Sequence, residues 1–176
     1  MGDDTNLVLI QKAMTLEKAR YEGYENMSAK VSNIEGREVL IKLAKVEKNH
    51  YNLLKKQIKS IRKFSEVNLD ILAGNKINLL KRENSFTRTI SSISTDINIM
   101  EEAEAIERKD PPFYEALSEQ TTDPKLKKVF QFLKKEESYH LRILEKKLKE
   151  LEILSSKISA AKDPRVMFYD LIRDKK

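Results

Sequence analysis

The 176-residue sequence predicts an all-α protein: a four-helix bundle with a long crossover between its second and third helices and a short fifth helix at the C-terminus. Three observations lead there. Only four glycines and four prolines interrupt a chain rich in Lys, Glu, Ile and Leu, so long helices form at little cost. Apolar residues recur at alternating spacings of three and four along several stretches, the period of one helix face. One pattern of residues also occurs twice, 90 positions apart.

The first helix is expected over about Thr5 to Val31, entered through the capping candidates Asp3, Asp4, Thr5 and Asn6. Its stripe is Ile10, Met14, Glu17, Tyr21 and Tyr24. A turn around Ser32-Asn33 and Gly36 leads into the second helix, about Gly36 to Phe64, with the stripe Leu40, Leu43, Glu47, His50 and Leu54. So short a turn makes these two helices antiparallel neighbours. Residues 65–94 break the pattern at Ala73-Gly74-Asn75 and in a Ser/Thr-rich stretch from Ser85. They form the connection that carries the chain across to a second, similarly oriented pair. Ile71, Leu72, Ile77, Leu79 and Leu80 imply that this crossover packs on the bundle.

The third helix is expected from Ser94 or Thr95 to about Gln120. Pro111-Pro112 removes two N–H donors from it and clashes with the preceding turn, so a kink or break is expected within a turn of Glu107. Such a break would open the region around Glu107 or displace that side chain. Asp123-Pro124 supplies an N-cap and a proline at the first helical position for the fourth helix, whose stripe is Phe130, Leu133, Glu137, His140 and Leu144. Asp163-Pro164 repeats the signal before the short final helix carrying Val166, Met167, Phe168, Leu171 and Ile172. The bundle is assigned to residues 1–152 and a C-terminal extension to 153–176.

The repeated pattern carries the chemistry. The only two histidines lie in Glu47-x-x-His50 and Glu137-x-x-His140. Thirty residues before each motif glutamate stands another glutamate, Glu17 and Glu107, and seven residues after each of those a tyrosine, Tyr24 and Tyr114. Under the same shift Val39 maps to Val129, Leu40 to Phe130, Leu43 to Leu133 and Leu54 to Leu144, which marks an internal duplication. Glu47, His50, Glu137 and His140 occupy stripe positions otherwise given to leucine, where an ionised carboxylate is costly unless paired or bound to metal. A spacing of three puts carboxylate and imidazole on one helix face. One such motif alone reads as a surface pair. Two at matched spacing would bring four carboxylates and two imidazoles to one point, and four negative charges match two divalent ions. Met14 and Met100 read as core filler. The tyrosine hydroxyls either bond the ligand carboxylates or reach water from the core edge.

This pattern resembles the rubrerythrin branch of the ferritin-like superfamily over about residues 7–150. The resemblance implies a ferritin-like bundle with a non-haem di-iron centre, two iron ions per site with manganese also compatible, that reacts with peroxide or dioxygen. It implies Glu17, Glu47, His50, Glu107, Glu137 and His140 as metal ligands, and Tyr24 and Tyr114 as the catalytic tyrosines that order the carboxylates. The implied function is reduction of hydrogen peroxide. Many rubrerythrins also carry a rubredoxin module with four thiolates on iron. This sequence has no Cys, so the electrons are expected from a separate donor protein. Where the family often has a further carboxylate one turn beyond Glu107, this chain has Asp110, with Glu104 one turn before. Either is a candidate seventh ligand or a solvated acid. The alternatives are manganese catalase-like dismutation, ferritin-like oxidation and storage of ferrous iron, and a non-catalytic metal-binding bundle.

The net charge of +6 concentrates in Lys48, Lys55, Lys56, Lys59, Arg62 and Lys63. These form either a solvated face suited to a helix C-terminus or a docking surface for an acidic redox partner. With no interleaved aromatic residues or glycine-rich loops, nucleic acid is not an expected partner. The lack of Cys excludes disulfides, thiolate metal sites and cysteine nucleophiles. No apolar run approaches a membrane span. The start Met1-Gly2-Asp3-Asp4 is acidic where a signal peptide is basic, so a cytoplasmic location is expected. A homodimer or larger homo-oligomer is expected, with the final helix capping the bundle or embracing a second subunit.

Overall fold

The computed structural model describes residues 2–62 and 92–161. They form α1 (Gly2–Ser28), α2 (Ile34–Arg62), α3 (Ser92–Glu107), α4 (Asp110–Gln120) and α5 (Pro124–Ala161), with no strand among them. Nearly all of the expected crossover, and the short helix after Pro164, lie outside the described residues. α5 continues past residue 152 to Ala161, with Leu151 as its last buried residue. No described helix is long and apolar enough to cross a membrane.

α1 and α2 form one antiparallel hairpin, and α3 and α4 together pair with α5 to form the other. Corresponding residues cap the second helix of each hairpin. Gly36 N–H donates to Asn33 Oδ1 at 2.8 Å, and Lys125 N–H donates to Asp123 Oδ1 at 2.8 Å. Gly36 suits that turn because a Cβ there would meet Val31 Cγ1 at 3.3 Å. The two hairpins also clasp each other reciprocally. Asp96 on α3 accepts from the N–H groups of Ser32 and Asn33, both at 2.8 Å, while Asn6 on α1 accepts from Thr121 Oγ1 at 2.8 Å. Asp3 to Asn6, the expected N-caps of the first helix, therefore lie inside α1, and Asn6 serves the opposite turn instead.

The expected break in the third helix is present: α3 ends at Glu107 and α4 begins at Asp110. Lys109 N–H turns back to the Ile106 carbonyl at 3.1 Å, a tighter closure than an α-helical bond, and Pro111 and Pro112 supply no donors. The interruption is short enough that Glu107 stays fully buried.

The stripes of α2 and α5 are buried throughout, and they separate two apolar clusters. One holds Ile10, Leu54, Leu126, Phe130 and Leu133; the other holds Met27, Leu40, Leu43, Met100 and Leu144, with Met14 packed against the first. A 90-residue shift carries Ile10 to Met100, Leu40 to Phe130 and Leu54 to Leu144, so it exchanges the two clusters. The bundle is thus two related apolar layers with a charged layer between them.

Arg20 and Asp110 are related by the same shift, and they meet each other. Arg20 Nε donates to Asp110 Oδ2 and its Nη2 to Oδ1, both at 2.5 Å, with the Asp110 side chain only 2% exposed. This bidentate geometry is the strong form of the pair. Removing one partner strands a buried charge, whereas replacing both with apolar groups does not. Arg20→Met should cost about 3 kcal/mol in urea unfolding, and Arg20→Met/Asp110→Leu should regain most of it. A single variant within about 0.5 kcal/mol of the parent would place the pair among weak, solvated ion pairs.

Candidate metal centre

The layer between the two apolar clusters is made by six side chains from four helices. Glu47 and His50 come from α2, Glu137 and His140 from α5, Glu17 from the middle of α1, and Glu107 from the last residue of α3. All six are buried, Glu47 and Glu107 completely. His50 Nδ1 lies 3.1 Å from Glu47 Oε2, 3.3 Å from Glu137 Oε1 and 3.7 Å from Glu17 Oε2. His140 Nδ1 lies 2.8 Å from Glu47 Oε1 and 3.2 Å from Glu137 Oε2. The imidazole rings stack with centroids 5.6 Å apart and planes 15° apart.

Ligand-capable atoms gather into two overlapping sets, each within 4.8 Å: Glu17, Glu47, His50 and Glu137, and Glu107, Glu47, Glu137 and His140. Glu47 and Glu137 belong to both. Each set therefore offers one imidazole and one carboxylate of its own plus two shared carboxylates, the arrangement that two metal ions bridged by carboxylates require.

The tyrosines cross between the halves. Tyr24 donates to Glu107 Oε1 at 2.5 Å, and Tyr114 donates to Glu17 Oε1. Both rings are buried, so of the two readings of these residues the carboxylate bond is the one observed. Each glutamate nevertheless keeps one oxygen without a hydrogen-bond donor: Glu17 Oε2, Glu47 Oε1, Glu107 Oε2 and Glu137 Oε1. Glu47 Oε1 approaches His140 Nδ1, but without hydrogen-bond geometry. Four buried, unsatisfied carboxyl oxygens in one layer are costly unless a cation takes them. The donor set fits borderline divalent ions such as iron, manganese or zinc.

Without metal, protons take that place. Burial pushes the Glu17 carboxyl up to about 9, reinforced by neighbouring Glu47 and Glu137 and opposed by His50. Burial likewise pushes Glu107 up to about 10. Burial would raise Glu47 too, but the neighbouring His140 and His50 imidazoles hold it well below the usual range. Burial opposes protonation of the histidines, yet their carboxylate partners outweigh it. His50 rises to about 12 beside Glu137, Glu17 and Glu47, and His140 to about 10 beside Glu137 and Glu47. Burial also raises both tyrosines well above their ordinary value, so they remain phenols and donors.

Neither candidate for a seventh ligand joins the two sets. Asp110 is held by Arg20, and Glu104 is paired with Arg108, which also reaches Glu145 at 3.1 Å. Sequence reasoning missed the Arg20–Asp110 pair, although its separation equals that of the two motifs.

Glu17 and Glu107 lose protons near pH 4.5 when unfolded but only near 9 and 10 when folded and metal-free. The folded state binds more protons across that window, so the metal-free protein should lose stability as pH rises through it. The histidine contribution is complete below about 6.5 and lost as pH rises through about 10 to 12. Glu47 stabilises above about 4.5, and that contribution fades as pH falls below it. Metal binding must displace the protons of Glu17, Glu107, His50 and His140, so affinity should climb with pH between about 6 and 9. Calorimetric titration with cobalt(II) at pH 7 in buffers of differing ionisation enthalpy should read release of two to four protons per chain. Release of none would mean that the cluster is not the binding site.

Comparison with known proteins agrees with this geometry. The rubrerythrin family model matches residues 9–148. No curated protein matches the chain. Two solved structures share the fold. A hypothetical protein from Pyrococcus furiosus is similar with a TM-score of 0.63 and 21% identity over 88% of this chain and 94% of that one. A two-domain protein from Anabaena variabilis, containing DJ-1/ThiJ/PfpI-like and ferritin-like domains, is similar with a TM-score of 0.65 and 15% identity over 93% of this chain and 40% of that one. The family match spans both copies of the glutamate–tyrosine–histidine pattern, and this chain belongs to the rubrerythrin family, whose members bind non-haem iron in a ferritin-like bundle.

Proposed function

We propose that the protein is a di-iron oxidoreductase of rubrerythrin type that reduces hydrogen peroxide in the cytoplasm, using electrons from a separate donor protein. The observation that carries this reading is the pair of overlapping ligand sets with Glu47 and Glu137 in common. In it Glu17, Glu47 and His50 would hold one ion with Glu137, and Glu107, Glu137 and His140 would hold the other with Glu47. When bound, two ferrous ions supply the two electrons that reduction of peroxide to water consumes.

The chain's own residues set the conditions for that chemistry. Tyr24 fixes one oxygen of Glu107 and Tyr114 one oxygen of Glu17, leaving the other oxygen of each without a donor, where it would take a cation. Because each tyrosine acts on the glutamate of the opposite half, rotation of one carboxylate is restrained by the other hairpin. The face between α1 and α4 is closed by these rings and by the Arg20–Asp110 pair, which keeps bulk water from that side.

Exposed lysines support an acidic donor. Lys55, Lys56 and Lys59 line a shallow groove with Asn52 on the outer face of α2. Exposed Ile34 at the start of α2 and Ile153 and Leu154 near the end of α5 offer an apolar surface for a second subunit in a homodimer.

Protein from iron-supplemented growth should contain about two iron atoms per chain, lost in His50→Ala/His140→Ala. Reduced protein should be oxidised faster by hydrogen peroxide than by dioxygen, and Tyr24→Phe/Tyr114→Phe should slow this by about ten- to a hundred-fold. Equal rates with the two oxidants would remove the peroxidase assignment. Peroxide consumption with no reductant would assign manganese catalase-like dismutation instead.

A further inference from the structure

We propose that Glu136, with the outer edges of His50 and His140, forms a second cation site on the face between α2 and α5, at which an incoming divalent transition-metal ion is held before it passes to the four-glutamate layer. The transfer step rests on the metal-centre reading above; the outer site itself does not.

Both Nδ1 atoms face the buried glutamates. An imidazole carries its second nitrogen on the far edge of the ring, so each Nε2 faces away from that layer. One ligand atom each from Glu136, His50 and His140 lies within 4.8 Å of the others, and none of the four buried glutamates belongs to this set. Glu136 is half-buried, while both rings are nearly covered. It makes no ion pair among the described residues, although Lys134 and Lys135 precede it in sequence. A half-buried carboxylate beside two imidazoles is a nitrogen- and oxygen-donor set that favours iron, cobalt or zinc over calcium or magnesium.

Access argues the same way. The inner layer is buried, and the face between α1 and α4 is closed by Tyr24, Tyr114 and the Arg20–Asp110 pair. The two imidazoles, 4% and 3% exposed, are the least covered groups of the cluster. Phe132, half-exposed, packs edge-on against His50 with ring centroids 6.4 Å apart. Phe132 and Glu136 lie four residues apart on one face of α5 and flank the two rings. A neutral imidazole bound through Nδ1 keeps its proton on Nε2, so the inner and outer sites compete for the rings. The outer site therefore serves arrival and transfer rather than storage.

The test is cobalt(II) loading of chelator-treated protein, followed by absorbance after rapid mixing and by equilibrium dialysis. Glu136→Gln should load about ten-fold more slowly while binding the same number of cobalt ions with the same affinity. An unchanged loading rate overturns the proposal. A weaker affinity with unchanged association rate also overturns it, because Glu136 would then only orient the rings. In Glu47→Gln/Glu137→Gln, which disables the inner layer, one cobalt ion should still bind per chain, with paramagnetically shifted histidine signals that vanish on adding Glu136→Gln. That result in a parent protein that fails to take up two ions would sink the di-metal reading and leave the outer site standing. Absence of any such ion in a folded double variant would sink the outer site alone.

Discussion

The structure is organised around the cost of placing four carboxyl groups in the middle of an apolar bundle. A buried carboxylate without partners is among the least tolerable groups in a protein interior, and here four of them occupy one layer. The surrounding residues are explicable as answers to that cost. Two histidines approach from α2 and α5, and two tyrosines reach across from the opposite hairpin. Each answer satisfies one side of a carboxylate and leaves another oxygen bare. The layer is therefore a poor structural core and a good receptacle for positive charge, whether carried by protons or by metal.

Because the two apolar clusters lie on either side of this layer, the helices can be held in register without help from the site. Leu40, Leu54, Phe130 and Leu144 are fully buried two turns from the ligand glutamates on their own helices. They fix the faces on which Glu47, His50, Glu137 and His140 stand. This division of labour explains how the break after Glu107 is accommodated. The interruption spans two residues, while the packing of α3 and α4 against α5 is carried by buried residues on both sides of it, among them Met100, Ala103, Tyr114 and Leu117.

Much of this was legible from residue spacing. The stripes of α2 and α5 announced their buried faces, and the doubled motif announced which polar residues share them. The same repeat put the tyrosines on the ligand face but left open whether their hydroxyls bond the carboxylates, and it did not show that each serves the other half's glutamate, since spacing within one chain segment carries no information about the partner across an interface. Asp123-Pro124 marked the start of α5 correctly, but the starts of α1 and α2 were read less well. Asn33 caps α2 from a turn that resembled many other polar turns, and Asp3 to Asn6 offered caps that α1 does not use. The Arg20–Asp110 pair was hidden for a different reason: the two residues are unlike, so a search for repeated identities passes over them.

That unlikeness reflects the way the molecule was built. Positions 20 and 110 correspond under the duplication and lie opposite one another, which puts them at the approximate two-fold axis relating the hairpins. Had the bundle been assembled from two identical, separate hairpins, whatever stood at this position would have faced its own copy. Two arginines would repel across the axis, and two aspartates would do the same. Opposite charges can meet there only when the two halves differ at this position, so this ion pair is a contact that two identical hairpins could not make.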